Sequence, residues 1–254
     1  MLSRSAPFAL LAVLFLPAPN SAPVTLKYKF TQHFSQTIDL TAMGQEPQSG
    51  GADYDIYVTV ASQDSASGHA LSVKVDSVVP AANSDPQVAA TVTGQLKGAA
   101  GNCYIDAEGE VSGFASDPQG SALKQLVQAV YPKLRKGIKP GDAWSDTTSS
   151  VDSLMGGVVN RKMVTNYTSS AGEKWKGEPT LKLVAASSFT VSGTQSGMSL
   201  EGNGSNNGTF TVSRGGHTVS GQNAGKVNIN ASGPQAPMPI PIVNETSSTI
   251  ILLP

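Results

Sequence analysis

Apolar and polar residues alternate along most of the chain. Leu26, Tyr28, Phe30, Gln32 and Phe34, then Ile38 and Leu40, share one parity, while Lys27, Lys29, Thr31 and His33 share the other. A period of two places such sets on opposite faces, so the spacing predicts a long half-buried strand, or two strands with a bend near Ser35. Tyr54, Ile56, Val58 and Val60 alternate again, as do Leu71, Val73, Val75 and Val79. The turn-rich DSASG between these two sets predicts an antiparallel hairpin. The tract MGQEPQSGGAD, from Met43 to Asp53, reads as a loop, and Val88, Ala90, Val92 and Leu96 read as a fourth strand. Cys103 to Ile105 and Glu110 to Phe114 flank the turn DAEG, in which Gly109 suits a positive φ.

The period changes between Asp117 and Trp144. Leu123, Leu126, Val127, Val130 and Leu134 recur at steps of three and four, which predicts an amphipathic helix over 118–136 with one apolar stripe. Asp117 suits the N-cap, because its carboxylate can accept a backbone N–H that lacks a partner, and Pro118 suits the first helical position, where no donor is needed. Lys133, Arg135 and Lys136 complement the negative end of the helix dipole, and Gly137 suits the left-handed residue that ends it. Pro132 falls inside the pattern and is expected to loosen the last turn. KPGDAW, from Lys139 to Trp144, then turns the chain back into strands, with Trp144 placed to cover the helix or a sheet edge.

Alternation resumes in the second half. Val159, Arg161, Met163, Thr165 and Tyr167 predict one strand, and Leu181, Leu183, Ala185, Phe189 and Val191 another. From Gly193 to Gly225 the chain is rich in Gly, Asn and Ser and predicts short strands with tight turns. PQAPMPIPI, from Pro234 to Ile242, predicts an extended polyproline-like edge or linker, and Thr249 to Leu253 a final apolar strand. The first meander is thus expected over 24–116 and the second over 141–253, within one β-rich domain, 23–254.

The N-terminus follows another rule. Arg4 precedes the apolar run from Phe8 to Leu16, and small residues follow, which predicts a secretory signal over 1–22 with cleavage near Ala22. The run is too short to span a bilayer as a helix, so no membrane span is expected in the mature chain.

Composition narrows the chemistry. With Gly at 26 residues, a charged fraction of 14% and an aromatic fraction of 6%, the chain fits many strands and turns around a core of Val, Leu, Ile and Ala. A formal charge of −1 supplies no field for nucleic acid, and no run of Lys and Arg occurs. Cys103 is the only cysteine, which excludes an internal disulfide and a thiolate metal cage; a small buried strand residue is its simplest reading. His33, His69 and His217 lie far apart without a second ligand at a useful spacing, so no metal is expected. No GxSxG elbow, no GKS or GKT and no glycine-rich βα turn is present, so nothing points to a catalytic residue or a cofactor. Asp106, Glu108 and Glu110 at one hairpin tip, and Asp53 and Asp55 at a strand start, read as solvated carboxylates or weak cation sites. The N-x-Ser/Thr triplets at Asn166, Asn203, Asn207, Asn230 and Asn244 are what chance supplies in such a composition.

The LKYKF opening strand, YIDAEGEVSG, the helix and KPGDAW together resemble uncharacterised bacterial envelope proteins, in which a signal peptide precedes a β-meander, a helix and a GDxW-type turn into a second meander. More distantly, this order is similar to the half-barrels of periplasmic lipoprotein carriers. That resemblance implies a curved antiparallel sheet closed by helices over an apolar cavity.

The expected fold is therefore mainly β, an antiparallel curved sheet or half-barrel of two meanders with one central amphipathic helix. The expected protein is non-enzymatic, exported to a bacterial periplasm or secreted, and binds a lipid or other apolar ligand, or an envelope protein partner, through its sheet. A structural or adhesive surface protein, and a hydrolase with an unrecognised site, are the alternatives. Leu126, Val130, Tyr131 and Trp144 are the candidate ligand-lining residues, because they belong to the helix stripe and the turn that follows it.

Overall fold

A computed structural model describes residues 23–65, 68–106, 109–115, 118–135, 137–154, 157–195, 197–234 and 236–254. The expected signal segment, the Asp117 cap, Glu108 and Lys136 lie outside the described residues.

The first meander consists of β1 (Val24–Ile38), β2 (Gln48–Ser65), β3 (Gly68–Pro80), β4 (Ala100–Asp106) and the short β5 (Val111–Ser112). Helix α1 (Pro86–Leu96) interrupts it, and α2 (Pro118–Val130) follows it. The second meander is β6 (Ala143–Leu154), β7 (Gly157–Ala171), β8 (Leu181–Gln195), β9 (Met198–Val212), β10 (Thr218–Gly233) and β11 (Ala236–Leu252). All pairings are antiparallel, in the order β5-β4-β3-β2-β1-β11-β10-β9-β8-β7-β6, which makes one open curved sheet of 11 strands. The first and last strands join the meanders at the centre, from Tyr28 opposite Leu252 to Ile38 opposite Ile242.

The alternation read from the sequence sets the register, because residues directly opposite share a face. On the first meander the inner face is apolar: Tyr28, Phe30, Ile56, Val58, Val60, Val73 and Val75 are all buried. Helix α2 lays Leu123, Leu126, Val127 and Val130 on them, forming one core with Leu71, Cys103 and Ile105. Each such Val or Leu contributes roughly 1.5–3 kcal/mol on leaving water. The outer face is polar and carries cross-strand pairs such as Lys29–Asp55 at 2.8 Å and Lys226–Glu245 at 2.9 Å. Exposed pairs of this kind add little stability.

Residues 48–53 of the tract read as a loop are the start of β2, paired with β1, and a register shift opposite Tyr57 and Val58 leaves Val79 exposed and turns Val78 inward. Four further local expectations are corrected. Residues 86–96 form a helix and not a strand: Asp85 accepts from the backbone N–H of Gln87 at 2.8 Å and Val88 at 3.0 Å, and Pro86 occupies the first turn. Ala89, Val92 and Leu96, a helical set, face the core. Second, α2 stops at Val130, short of the expected residue 136, because Pro132 has no N–H to continue the helix and disfavours helical geometry at Tyr131. Lys133 therefore does not complement the helix end. It bridges Glu110, at 2.6 Å, and Asp146, at 3.0 Å, and so ties the β4–β5 hairpin to edge strand β6.

Third, the glycine-rich tract forms long strands of 15 and 16 residues. Aromatic rings occupy the space that the glycines leave: Phe189 lies directly opposite Gly204, and Phe210 opposite Gly221. A Cβ on either glycine would strike the ring. Fourth, the proline-rich tract is not a linker: residues 236–242 begin β11, and those before Ile242 run past the end of β1, which agrees with the edge reading. The Pro241 carbonyl accepts from the Asp39 N–H at 2.9 Å, just past the end of β1. Residues two apart point their backbone groups to the same side, so Pro239 and Pro241 direct their missing donors to a side where β1 has already ended.

Candidate functional site

The helices are held over the inner face by side chains the sequence pattern did not single out. Thr218, fully buried in β10, donates from Oγ1 to the Ala129 carbonyl near the end of α2 at 2.7 Å. The Thr218 carbonyl in turn accepts from the Tyr28 hydroxyl at 2.9 Å. Burial, and then the nearby Tyr131 phenol, hold the Tyr28 hydroxyl well above its ordinary pKa, so it stays a donor.

Between this roof and the sheet lies a cavity of about 440 Å³. Val92 and Leu96 of α1 and Ala122, Leu126 and Ala129 of α2 line it from above. Phe30, Phe34, Tyr54, Ile56, Phe210 and Ile250 line it from the sheet. The polar groups on its wall are carboxamides and hydroxyls, among them Gln32, Gln95, Gln125, Asn223, Thr246 and Ser248; no Lys, Arg, Asp or Glu is present. His33 also borders the cavity, but its ring belongs to the outer parity and meets Asp53 at 2.5 Å. That contact is the leading cause of the lowered Asp53 pKa.

The strand register extends the site. Successive inward rows lie about 7 Å apart, two residues along each strand. Phe30, Ile250, Gly221, Phe210 and Leu183 form the row nearest the helices. Gln32, Ser248, Asn223, Gly208 and Ala185 form the next, and then Phe34, Thr246, Gly225, Asn206 and Ser187. Gln36, Asn244, Val227, Gly204 and Phe189 follow. Gln36 donates to Asn244 at 2.9 Å, and Thr165 and Ser187 share a hydrogen bond of 2.8 Å. Beyond this belt a second apolar cluster begins, built on Val159, Val191, Leu200 and Ala231 with Ile229 and Ile242 against it. The inner face therefore runs from a helix-covered apolar end, across a belt of small and uncharged polar side chains, to a second apolar end.

Of the four candidate lining residues, Leu126 borders the cavity. Val130 is fully buried in the core beneath α2. Tyr131 is buried between two histidines, with ring centroids 5.8 Å from His69 and 6.4 Å from His217. Trp144 stacks on Tyr167 at 4.9 Å, away from the cavity. Sequence reading missed Phe30, Phe34 and Phe210 as lining residues; their inward parity was visible, but which strands neighbour them was not.

The other reactive side chains fall into place around this frame. His217 Nδ1 lies 3.0 Å from Ser213 Oγ, while its Nε2 is buried without a hydrogen-bond partner among the described residues, so no acid among them orients this Ser–His pair. Burial, and then the charges of His69 and Lys176, push the His217 pKa down. His69 Nδ1 meets Asp64 at 2.9 Å. Although the fold brings His69 and His217 to either side of Tyr131, no group of three or more metal-ligating side chains occurs among the described residues. Cys103 is buried, with its thiol pushed up to about 11 by burial. Asp53 and Asp55 are engaged by His33, Asn83, Lys29 and Thr31 on the outer face. No helix among the described residues is long and apolar enough to cross a membrane.

No family model matches this chain, and no curated protein or solved structure matches it.

Proposed function

We propose that this is a non-enzymatic, exported envelope protein of a bacterium that holds an apolar ligand between its helix pair and the inner face of its sheet. The observation that carries the reading is the cavity of about 440 Å³ between α1, α2 and the sheet, within the roughly 300–1,000 Å³ typical of small-molecule sites. Its phenyl rings and aliphatic side chains suit a hydrocarbon, whose transfer from water gains about 0.8 kcal/mol per buried CH₂. Export to the periplasm or the medium is supported by the apolar run Phe8 to Leu16 behind Arg4.

The test is titration of the detergent-free protein with N-phenyl-1-naphthylamine, whose emission rises in apolar surroundings. Saturable binding is expected in the wild type. Ala122→Trp, which places an indole in the cavity, is expected to abolish it while leaving the thermal unfolding transition in place. Equal binding by a folded Ala122→Trp protein would remove the cavity as the site.

A second reading rests on strand β6. Among the described residues nothing pairs with its outer edge, and Val151 is exposed, so an envelope protein could add a strand there. Cross-linking from a cysteine placed at Val151, in intact cells, would capture such a partner; only monomeric adducts would count against it.

A further inference from the structure

We propose that the ligand of this cavity is a single-chain amphiphile with an uncharged, hydroxyl-bearing head, of the acylglycerol or glycolipid type. The head would lie on the belt of carboxamides and hydroxyls that leads away from the helices. The inference rests on the apolar-ligand reading above and adds the chemistry of the head.

Two independent observations carry it. The first is the absence of charge where a head group would sit. The cavity wall and the three belt rows on β1, β8, β9, β10 and β11 present Gln, Asn, Ser, Thr and Gly between their apolar residues and no Lys, Arg, Asp or Glu; His33, at the rim, belongs to the outer parity. Of the charged groups over the inner face, the Asp85 carboxylate at the start of α1 lies 3.9 Å from the position a Cβ would take on Gly50, opposite Gln36, and Asp146 and Arg161 lie on β6 and β7 towards the sheet edge. Asp146 is held by Lys133, and the Arg161 guanidinium lies 5.6 Å from the Phe189 ring. On the two belt rows nearer the helices, away from Phe189, a carboxylate or phosphate would shed water without meeting a Lys or Arg, whereas a hydroxyl exchanges one hydrogen bond for another.

The second observation is an unmet hydrogen bond in the middle of the belt. Asn206 Oδ1 is buried and has no hydrogen-bond partner among the described residues. It stands in the row next to Gln32, Ser248 and Asn223, opposite Gly225, over which the Asn206 Oδ1 and Thr246 Oγ1 lean, each 3.3 Å from the position a Cβ would take there. A buried amide end without a partner is costly, and a ligand hydroxyl satisfies it whichever way the carboxamide is turned, because a hydroxyl both donates and accepts.

The test uses the full secreted protein, delipidated and free of detergent, with bound N-phenyl-1-naphthylamine displaced by 1-lauroylglycerol, laurate or lauroyl-lysophosphatidylglycerol at pH 8. Each competitor is kept below its critical micelle concentration. The expected result is displacement by 1-lauroylglycerol at concentrations at least tenfold lower than by either anion. Asn206→Leu and, separately, Gln32→Leu should erase this preference by weakening 1-lauroylglycerol alone, in proteins that unfold at the wild-type temperature. Equal or better displacement by laurate or the lysophospholipid, or a preference that survives in both variants, would overturn the head-group inference and leave the apolar cavity standing. Failure of the naphthylamine and all three lipids to bind would overturn the cavity reading itself.

Discussion

Replacing Thr218 by Val removes one hydroxyl at the point where roof and sheet are joined. The side chain is fully buried and donates to the Ala129 carbonyl at 2.7 Å, among the last carbonyls of α2, which have no partner within the helix. Valine keeps the shape, so no cavity opens and the change is electrostatic. One hydrogen bond is lost and a partly buried carbonyl is left without its donor, a cost of about 1–3 kcal/mol. In a chain of this size that corresponds to a fall in Tm of roughly 2–12 °C. Urea unfolding of the mature protein should show a lower midpoint with an unchanged slope, and hydrogen exchange should quicken in the second half of α2. Thr218→Ser keeps the hydroxyl and should recover most of the loss. A Thr218→Val protein with the wild-type midpoint would refute the reasoning. So would Thr218→Ser as unstable as Thr218→Val, because the methyl group and not the hydrogen bond would then fix the helix.

Further outcomes follow from the same structure. Because burial, with His69 and Lys176, lowers the His217 pKa below its ordinary 6.5, the unfolded chain binds more protons there than the folded one as the medium acidifies. Stability should therefore be retained above pH 6.5 and decline below it until the folded-state pKa is passed; His217→Gln should flatten that decline in thermal scans between pH 7.5 and 5. Gly204→Ala forces a methyl group against the Phe189 ring and should cost about 1–3 kcal/mol in urea unfolding; a neutral substitution would show that the ring moves freely. Cys103, buried with its pKa near 11, should resist an aromatic disulfide reagent at pH 8 until urea unfolds the protein. Rapid labelling of the native state would contradict its place in the core.

The parity of apolar residues revealed the faces of β1, β2, β7 and β8, and of β3 as far as Val75, because one wet side and one dry side impose a period of two; the register shift opposite Tyr57 and Val58 then turns Val78 inward and leaves Val79 exposed. Parity did not reveal α1, where Val88, Ala90 and Val92 alternate as in a strand, while Ala89, Val92 and Leu96 carry the helical spacing. Asp85 followed by Pro86 was the discriminating signal, the same pair of residue types that marks the start of α2. The glycine-rich strands were obscured for a different reason. Gly204 and Gly221 look like turn residues until their cross-strand partners, Phe189 and Phe210, are known. The cavity was legible only in part: Leu126 lies on the helix stripe, but its companions Phe30 and Phe210 come from strands far apart in sequence. They meet because β1 and β11 pair at the centre of the sheet, a long-range choice that local periodicity cannot encode.

The central claim, that the space beneath α1 and α2 holds an apolar ligand, is tested most directly by native mass spectrometry of the protein purified from its own cell envelope without detergent. The account predicts a co-purifying mass that is released on denaturation, identified as an uncharged single-chain lipid, and lost in Ala122→Trp. A bare protein mass in repeated preparations, together with no uptake of lauroyl lipids by the delipidated chain, would contradict it.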